Sequence, residues 1–368
     1  MNSMSDYISS FYVLSLCLIL VLALATGFIW RTQWPTTPAS GSFSIGKTDL
    51  SHAIFTQNDL VAQQLPAATL WYPVPDHIER NNKQASTAVV VYFSSWLGKH
   101  IDNQQLINEL VSHGYAVISV AYGHEYDTIS DHQIELVLNQ LKLNMDFSVD
   151  NAYTAPQGRI KQRLTLRTTH ALEIANWLSQ SPSLPISYDA NSLGIMGFSF
   201  GGSVAQEACQ QSALYKAAVN LDGWLFGEAL SHPASCPVLM MTDATSKPTQ
   251  QQLESNDTTT RQIAQLNQTV FTRLENNELE HGSIRIKILS SIHSHFSDGR
   301  LSTLLRQSVG PARIPHKRAA QIVNHYVLSF FNSQLTKYPA SPLLGATVYG
   351  PDIEFFGAAT ESLPQAKK

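Results

Sequence analysis

The ten residues STAVVVYFSS, Ser86 to Ser95, constrain the fold more than any other stretch of the chain. From Ala88 to Phe93 every side chain is apolar or aromatic, with valine at Val89, Val90 and Val91. A strand with one wet face alternates polar and apolar residues. This run does not, so it predicts a strand covered on both faces, as in a parallel sheet. YAVISVAYG (Tyr115 to Gly123) reads the same way, and strands are expected at Leu193–Gly197, Ala217–Leu221, Pro237–Thr242 and Ile284–Leu289. ATLWYPVPD, Ala68 to Asp76, predicts a short early strand stopped by its prolines. Between these lie segments with helical apolar spacing: Asn103–Gly114, ending on a glycine stop, Arg163–Gln180 and Gly201–Gln211. A closing helix runs from Pro315, a favourable first-turn residue, to Leu335. Strands alternating with helices predict an α/β domain built on a mostly parallel, doubly wound sheet. Such a sheet places its ligand site at the carboxyl ends of its strands, so the chemistry is sought there.

The rest of the chain divides around that domain. Phe11 to Trp30 carries no charge and is long enough to cross a bilayer as a helix, with Trp30, Arg31 and Trp34 as interfacial anchors. Ala23-Leu24-Ala25 resembles a small-x-small cleavage site, but no Lys or Arg precedes Tyr7, which favours an uncleaved anchor over a cleaved signal peptide. The expected organisation is a hydrophobic N-terminal segment over 1–31, a linker over 32–60, the α/β domain over 61–336 and a surface tail over 337–368. The general role of such N-terminal segments suggests an exported, membrane-anchored domain, with cleavage and secretion as the alternative. A net charge of −4 with no dense Lys/Arg block excludes nucleic acid as a partner. Cys17, Cys209 and Cys236 show no metal spacing, and Cys209 and Cys236 are expected as separate buried thiols rather than a bridge. His124, Glu125 and Asp127 fit no ligand motif and read as a solvated loop, so no metal is expected. The polar Ser246–Asn277 segment reads as a solvated outer helix.

GIMGFSFGG, Gly194 to Gly202, places Ser199 between a predicted strand and a predicted helix. That is the setting of a nucleophile elbow, in which Gly197 and Gly201 let strand and helix approach closely while the serine takes a strained turn. The helix that follows would direct its free N–H groups at developing negative charge. The plainer reading is a tight turn in which the serine is incidental. An elbow needs a histidine beyond it, and only His293 and His295 follow a strand at its carboxyl end; His293 is nearer to the strand. The acid is either Asp222, which ends one strand, or Asp243, which ends the next, and chain position does not choose between them.

Three blocks, GIMGFSFGG, VNLDGWLFG and SIHSHFSD, together resemble those of the plasma-type platelet-activating-factor acetylhydrolases and their bacterial relatives. That family's pattern of G-H-S-F-G-G, L-D-x-W-x-F and H-x-x-F-x-D implies the α/β-hydrolase fold, with Ser199 as nucleophile, Asp222 as acid and His293 as base. Its oxyanion loop, F-S-H-G-L-G, corresponds to Phe93-Ser94-Ser95-Trp96-Leu97-Gly98, which implies the backbone N–H groups of Leu97 and Phe200 as oxyanion donors. Ser95 and Trp96 replace the family's His-Gly, and Phe198 stands where histidine is usual. Trp96, Phe198, Trp224 and Phe296 are the expected pocket residues, and Asp298 a structural hydrogen-bond partner in the histidine loop. The resemblance implies a serine carboxylic-ester hydrolase for apolar or lipid-like esters that needs no cofactor. An acyltransferase or polyester hydrolase on the same site, or an inactive lipid-binding scaffold, are the alternatives.

Overall fold

The structure, a computed structural model, describes residues 38–54, 66–75, 86–96, 100–122, 159–275, 283–298, 314–336 and 349–357. Its framework is one nine-stranded sheet in the order β1-β2-β4-β3-β5-β6-β7-β8-β9. The strands are β1 (Ser44–Asp49), β2 (Ala67–Val74), β3 (Thr87–Phe93), β4 (Ala116–Ala121), β5 (Tyr188–Phe198), β6 (Tyr215–Leu221), β7 (Val238–Thr242), β8 (Ile284–Ile288) and β9 (Ile353–Gly357). From β4 through β8 every neighbouring pair is parallel, whereas β1, β2 and β9 join antiparallel at the two edges.

The run that opened the sequence is β3, and all seven of its residues are buried. Its side chains alternate between two cores. Val89, Val91 and Phe93 face one, with α2 (Arg159–Ser179), α3 (Phe200–Gln211) and α4 (Thr258–Glu275). Val90 and Tyr92 face the other, with α1 (Gln104–Ser112) and α5 (His316–Leu335). Each fully buried valine or isoleucine adds about 1.5–3 kcal/mol, which is why an unbroken apolar run selects the middle of the sheet. The chain lays β4 on one side of β3 and then β5 on the other. This reversal is the switch point at which such sheets form their clefts.

Four features depart from the sequence expectations. Ser44–Asp49, inside the expected linker, pairs with β2, and Ile353–Gly357, inside the expected tail, pairs with β8, so the domain exceeds 61–336 at both ends. Both are edge strands: SIGKTD carries little apolar signal, and IEFFG is only five residues long in a segment rich in proline and glycine. The helix α4 is not simply solvated: its polar composition hides a stripe of Ala264, Leu266, Val270 and Leu274, all buried. Cys209 and Cys236 form a disulfide, with Cα atoms 6.0 Å apart, rather than two separate thiols. The end of α3 and the approach to β7 bring them together, which their separation of 27 residues did not reveal. Among the described residues no helix is long and apolar enough to cross a membrane, and Phe11–Trp30 lies outside them.

Candidate active site

Ser199 stands between β5 and α3 with φ 55° and ψ −124°, a left-handed conformation that a non-glycine residue adopts only when its surroundings enforce it. Two glycines make the turn possible. A Cβ on Gly197 would collide with the Gly201 backbone, and one on Gly201 with the Phe93 carbonyl. The Ser199 N–H donates to Leu221 O at 2.8 Å, which ties the turn to the end of β6.

Asp222 follows β6 and also has positive φ, at 54°. Fully buried Asn220 shapes its turn by accepting from the Gly223 N–H at 2.7 Å and donating to Gly223 O at 3.2 Å. The Asp222 carboxylate then divides its work. Oδ1 accepts the backbone N–H of Asp243 at 2.8 Å, and Oδ2 lies 2.6 Å from Nδ1 of His293. His293 Nε2 in turn lies 3.0 Å from Ser199 Oγ. The ring of Phe198 stacks against the imidazole with centroids 4.9 Å apart. The structure therefore brings together Ser199, His293 and Asp222, and gives Asp243 a different place: its backbone braces the carboxylate of Asp222.

Electrostatics follow from this arrangement. Burial disfavours the charged imidazole of His293, but the hydrogen bond and charge of Asp222, with Asp243 behind it, outweigh burial and raise it above its ordinary value. Burial first, and the charge of Asp222 second, push the Asp243 carboxyl up to about 6 against hydrogen bonds from Thr245.

His295 is buried and not interchangeable with His293. Its Nδ1 accepts the Ile292 N–H at 3.1 Å, and Nε2 lies 3.2 Å from Ile314 O. Asp298 is the structural partner that the sequence suggested. It accepts the N–H groups of Gln104 and Gln105 at 3.1 and 2.6 Å, placing a carboxyl on the first turn of α1. Burial raises that carboxyl to about 7 in spite of these bonds. Asn103 adds a second tie, donating to Phe296 O at 2.6 Å. Phe296 itself corrects an expectation. It does not line the cavity but sits in the core beneath α5, 1 % exposed, because the short turn His293–Phe296 carries its ring inward.

A cavity of about 750 Å³ opens beside Ser199 and His293 and runs between α4 and the β7–β9 end of the sheet. Trp96, Phe198 and Trp224 line it as expected, joined by Phe200 and Phe226. Its deeper part was not foreseen: Val270, Phe271 and Leu274 of α4 face Met240, Arg285 and Phe356 of the sheet. Across the switch point, the loop after β3 approaches the start of α3, where Phe200 heads the helix, and the ring of Trp96 meets that of Phe200 edge-on at 4.8 Å. Leu97, the second expected oxyanion donor, lies outside the described residues. Ser95, in the place of the usual histidine, donates its hydroxyl to Asp102 Oδ2 at 2.6 Å.

Sequence reasoning missed Arg167 of α2. Its buried guanidinium donates to the carbonyl oxygens of Ser94, Ser95 and Trp96 at 3.2, 2.9 and 3.1 Å. One signal was present: Arg167 occupies the apolar stripe formed by Leu164, Ala171, Ile174 and Leu178.

Residues 77–332, well over half of the chain, match the Dienelactone hydrolase family. The chain belongs to that family. Membership supports the α/β-hydrolase expectation and an esterase-like hydrolase, and leaves the narrower acetylhydrolase likeness resting on the catalytic blocks. No curated protein matches the sequence. Among solved structures, the chain is similar to a ferulic acid esterase from Streptomyces cinnamoneus, with a TM-score of 0.59 and 17 % identity over 88 % of this chain and 99 % of that one. At that identity the likeness speaks to the fold.

Proposed function

We propose that this dienelactone hydrolase family member is a serine carboxylic-ester hydrolase with Ser199 as nucleophile, His293 as base and Asp222 as acid. One observation carries the reading: Ser199 Oγ, His293 and Asp222 form a continuous hydrogen-bonded chain, 3.0 and 2.6 Å, beside an apolar cavity. As Ser199 Oγ attacks the ester carbonyl carbon, Nε2 of His293 takes its proton, and Asp222 stabilises the imidazolium through Nδ1. The carbonyl π electrons move to oxygen, where the N–H of Phe200, at the head of α3, and that of Leu97 serve as donors. The tetrahedral adduct collapses, the alcohol leaves with the proton from Nε2, and an acyl-Ser199 remains. Water, deprotonated by His293, then releases the acid and restores the serine.

The cavity supports an apolar ester, with an acyl or alkyl chain lying between α4 and the sheet. The catalytic blocks favour a platelet-activating-factor acetylhydrolase-like lipid ester within that class. An N-terminal anchor over Phe11–Trp30 and an exported domain belong to the same proposal, and the Cys209–Cys236 disulfide supports it, since such bonds persist in oxidising compartments. A fluorophosphonate probe tests the chemistry, with labelling of Ser199 in folded protein expected and its absence decisive against the enzyme. Turnover of p-nitrophenyl esters from acetyl to palmitoyl, a 2-acetyl phospholipid and methyl ferulate then assigns the substrate; a Leu274→Trp variant loses the long-chain esters before the short ones if the chain lies under α4. Membrane fractionation of the full chain tests the anchor.

A further inference from the structure

Arg167 belongs neither to the three reacting side chains nor to any block of the sequence, yet it holds three consecutive carbonyls beside Ser199. Nη1 reaches Ser94 O and Ser95 O, and Nη2 reaches Trp96 O, all within 3.2 Å. Rings of Tyr122 and Phe200 lie 4.2 and 5.3 Å from the guanidinium carbon. Among the described residues Arg167 makes no ion pair. A buried cation held by carbonyls and rings is costly to keep, and an apolar side chain would fill its place on the α2 stripe more cheaply. Burial pulls its pKa down to about 10, against the opposing influence of Tyr122, which still leaves it charged at neutral pH.

The geometry of the peptide bond explains what that cost achieves. In a trans peptide the N–H points opposite to the C=O, so a carbonyl pinned on Arg167 turns the next residue's N–H away from α2. The Ser94–Ser95 peptide displays this directly: its carbonyl meets Arg167, while its N–H donates to Asp102 Oδ2 at 3.2 Å on the other side. The Ser95 carbonyl is held in the same way at 2.9 Å, which turns the N–H of Trp96 away from α2, and Arg163, one turn earlier on α2, reaches Trp96 O at 3.4 Å and covers the Trp96 ring at 4.0 Å. The loop that carries Trp96 is the one from which the resemblance implies an oxyanion donor. We propose that Arg167 is a positioning residue that orients the loop after β3, so that its peptide N–H groups meet the oxyanion formed at Ser199. The role rests on the esterase reading of Ser199. It calls for a planar fork: one guanidinium spans three carbonyls, which a lysine ammonium on a flexible stem does not reproduce.

The test compares the full chain with Arg167→Lys and Arg167→Met, with rates normalised to active sites titrated by a fluorophosphonate. The readouts are kcat and KM for p-nitrophenyl acetate, the inhibition constant of an aryl boronic acid that forms a tetrahedral adduct on the serine, and the melting temperature. In Arg167→Lys, kcat falls about a hundredfold, KM stays within about threefold, and boronate affinity falls in parallel with kcat, because only the tetrahedral species uses the oxyanion donors. Should Arg167→Met fail to fold, the lysine variant carries the test alone. A folded Arg167→Lys with kcat and boronate affinity unchanged overturns the proposal. So does a loss that disappears on normalisation to titrated sites, since that marks a purely structural residue. If the unaltered chain takes no fluorophosphonate at Ser199, the esterase reading falls first and this role with it.

Discussion

The two sides of Ser199 are built on different principles. On the β6–β8 side the groups facing the serine are side chains, His293 and Asp222, each delivered by a strand end and joined by bonds of 3.0 and 2.6 Å. On the β3 side the proposed donors are peptide units, and side chains hold the loop that carries them: Arg167 from behind and Asp102 from the flank. The first side has its chemistry in residue identities, so it is exacting about sequence. The second, on the proposed reading, has its chemistry in the backbone, so Ser95 and Trp96 can stand where the acetylhydrolase pattern has His-Gly, provided that the loop is held. Departure from a motif means different things on the two sides.

Substitutions can break or sharpen this contrast. Ser199→Ala removes the nucleophile, and kcat is expected to fall by about 10⁴–10⁶-fold with complete loss of fluorophosphonate labelling. Asp222→Asn should cost about 10⁴-fold in kcat by destroying the tautomer and charge balance of His293, while the folded protein keeps its melting temperature within a few degrees. A loss no larger than tenfold would mean that the acid is elsewhere. Ser95→Ala removes one hydrogen bond to Asp102 on the opposite side, worth about 1 kcal/mol, and kcat should drop about fivefold. Combined with Arg167→Lys it should cost less than it does alone, since both act on one loop; strict additivity would separate the two supports.

Asp243→Asn is the mildest of the four and tests whether its charge is felt beyond its backbone. The rate needs neutral His293, so activity is lost as pH falls through the histidine pKa, which Asp222 and Asp243 raise. Removing the Asp243 charge lowers that pKa and extends activity to more acidic pH. The gain fades below about pH 6, where Asp243 is already protonated in the native chain. An unmoved acid limb in the rate profile would leave Asp243 only its backbone role.

The parts of the site that were legible in advance are those in which a side chain does the chemistry next to a strand end. Ser199 and its glycines follow from a local pattern joined to the order of strands, whereas strand ends narrowed the base to His293 or His295 and the acid to Asp222 or Asp243, and the resemblance of the blocks pointed to His293 and Asp222. Arg167 was hidden because its partners are main-chain oxygens more than seventy residues earlier, and oxygen atoms of the backbone leave no trace in a sequence. Phe296 was misread for a related reason: spacing places it in the histidine block but does not say which way a short turn faces. The middle strands were clear because burial on both faces forces a continuous apolar run. β1 and β9 were not, since an edge strand such as SIGKTD needs few apolar residues to pair. The inner stripe of α4 was obscured by its glutamines and threonines.

The sheet edges bear on how this domain can be handled. The family match begins at residue 77 and ends at 332, after β2 and before β9. A gene fragment cut to those limits would strip β1 and β2 from one margin and β9 from the other, leaving β4 and β8 with unpaired peptide groups along apolar strands. Bare margins of that kind recruit other chains, so such a fragment should precipitate or form strand-linked oligomers although every reacting residue is present. The three strands at the rim act as selvedge: they hold none of the reacting residues and keep the fabric from unravelling into its neighbours.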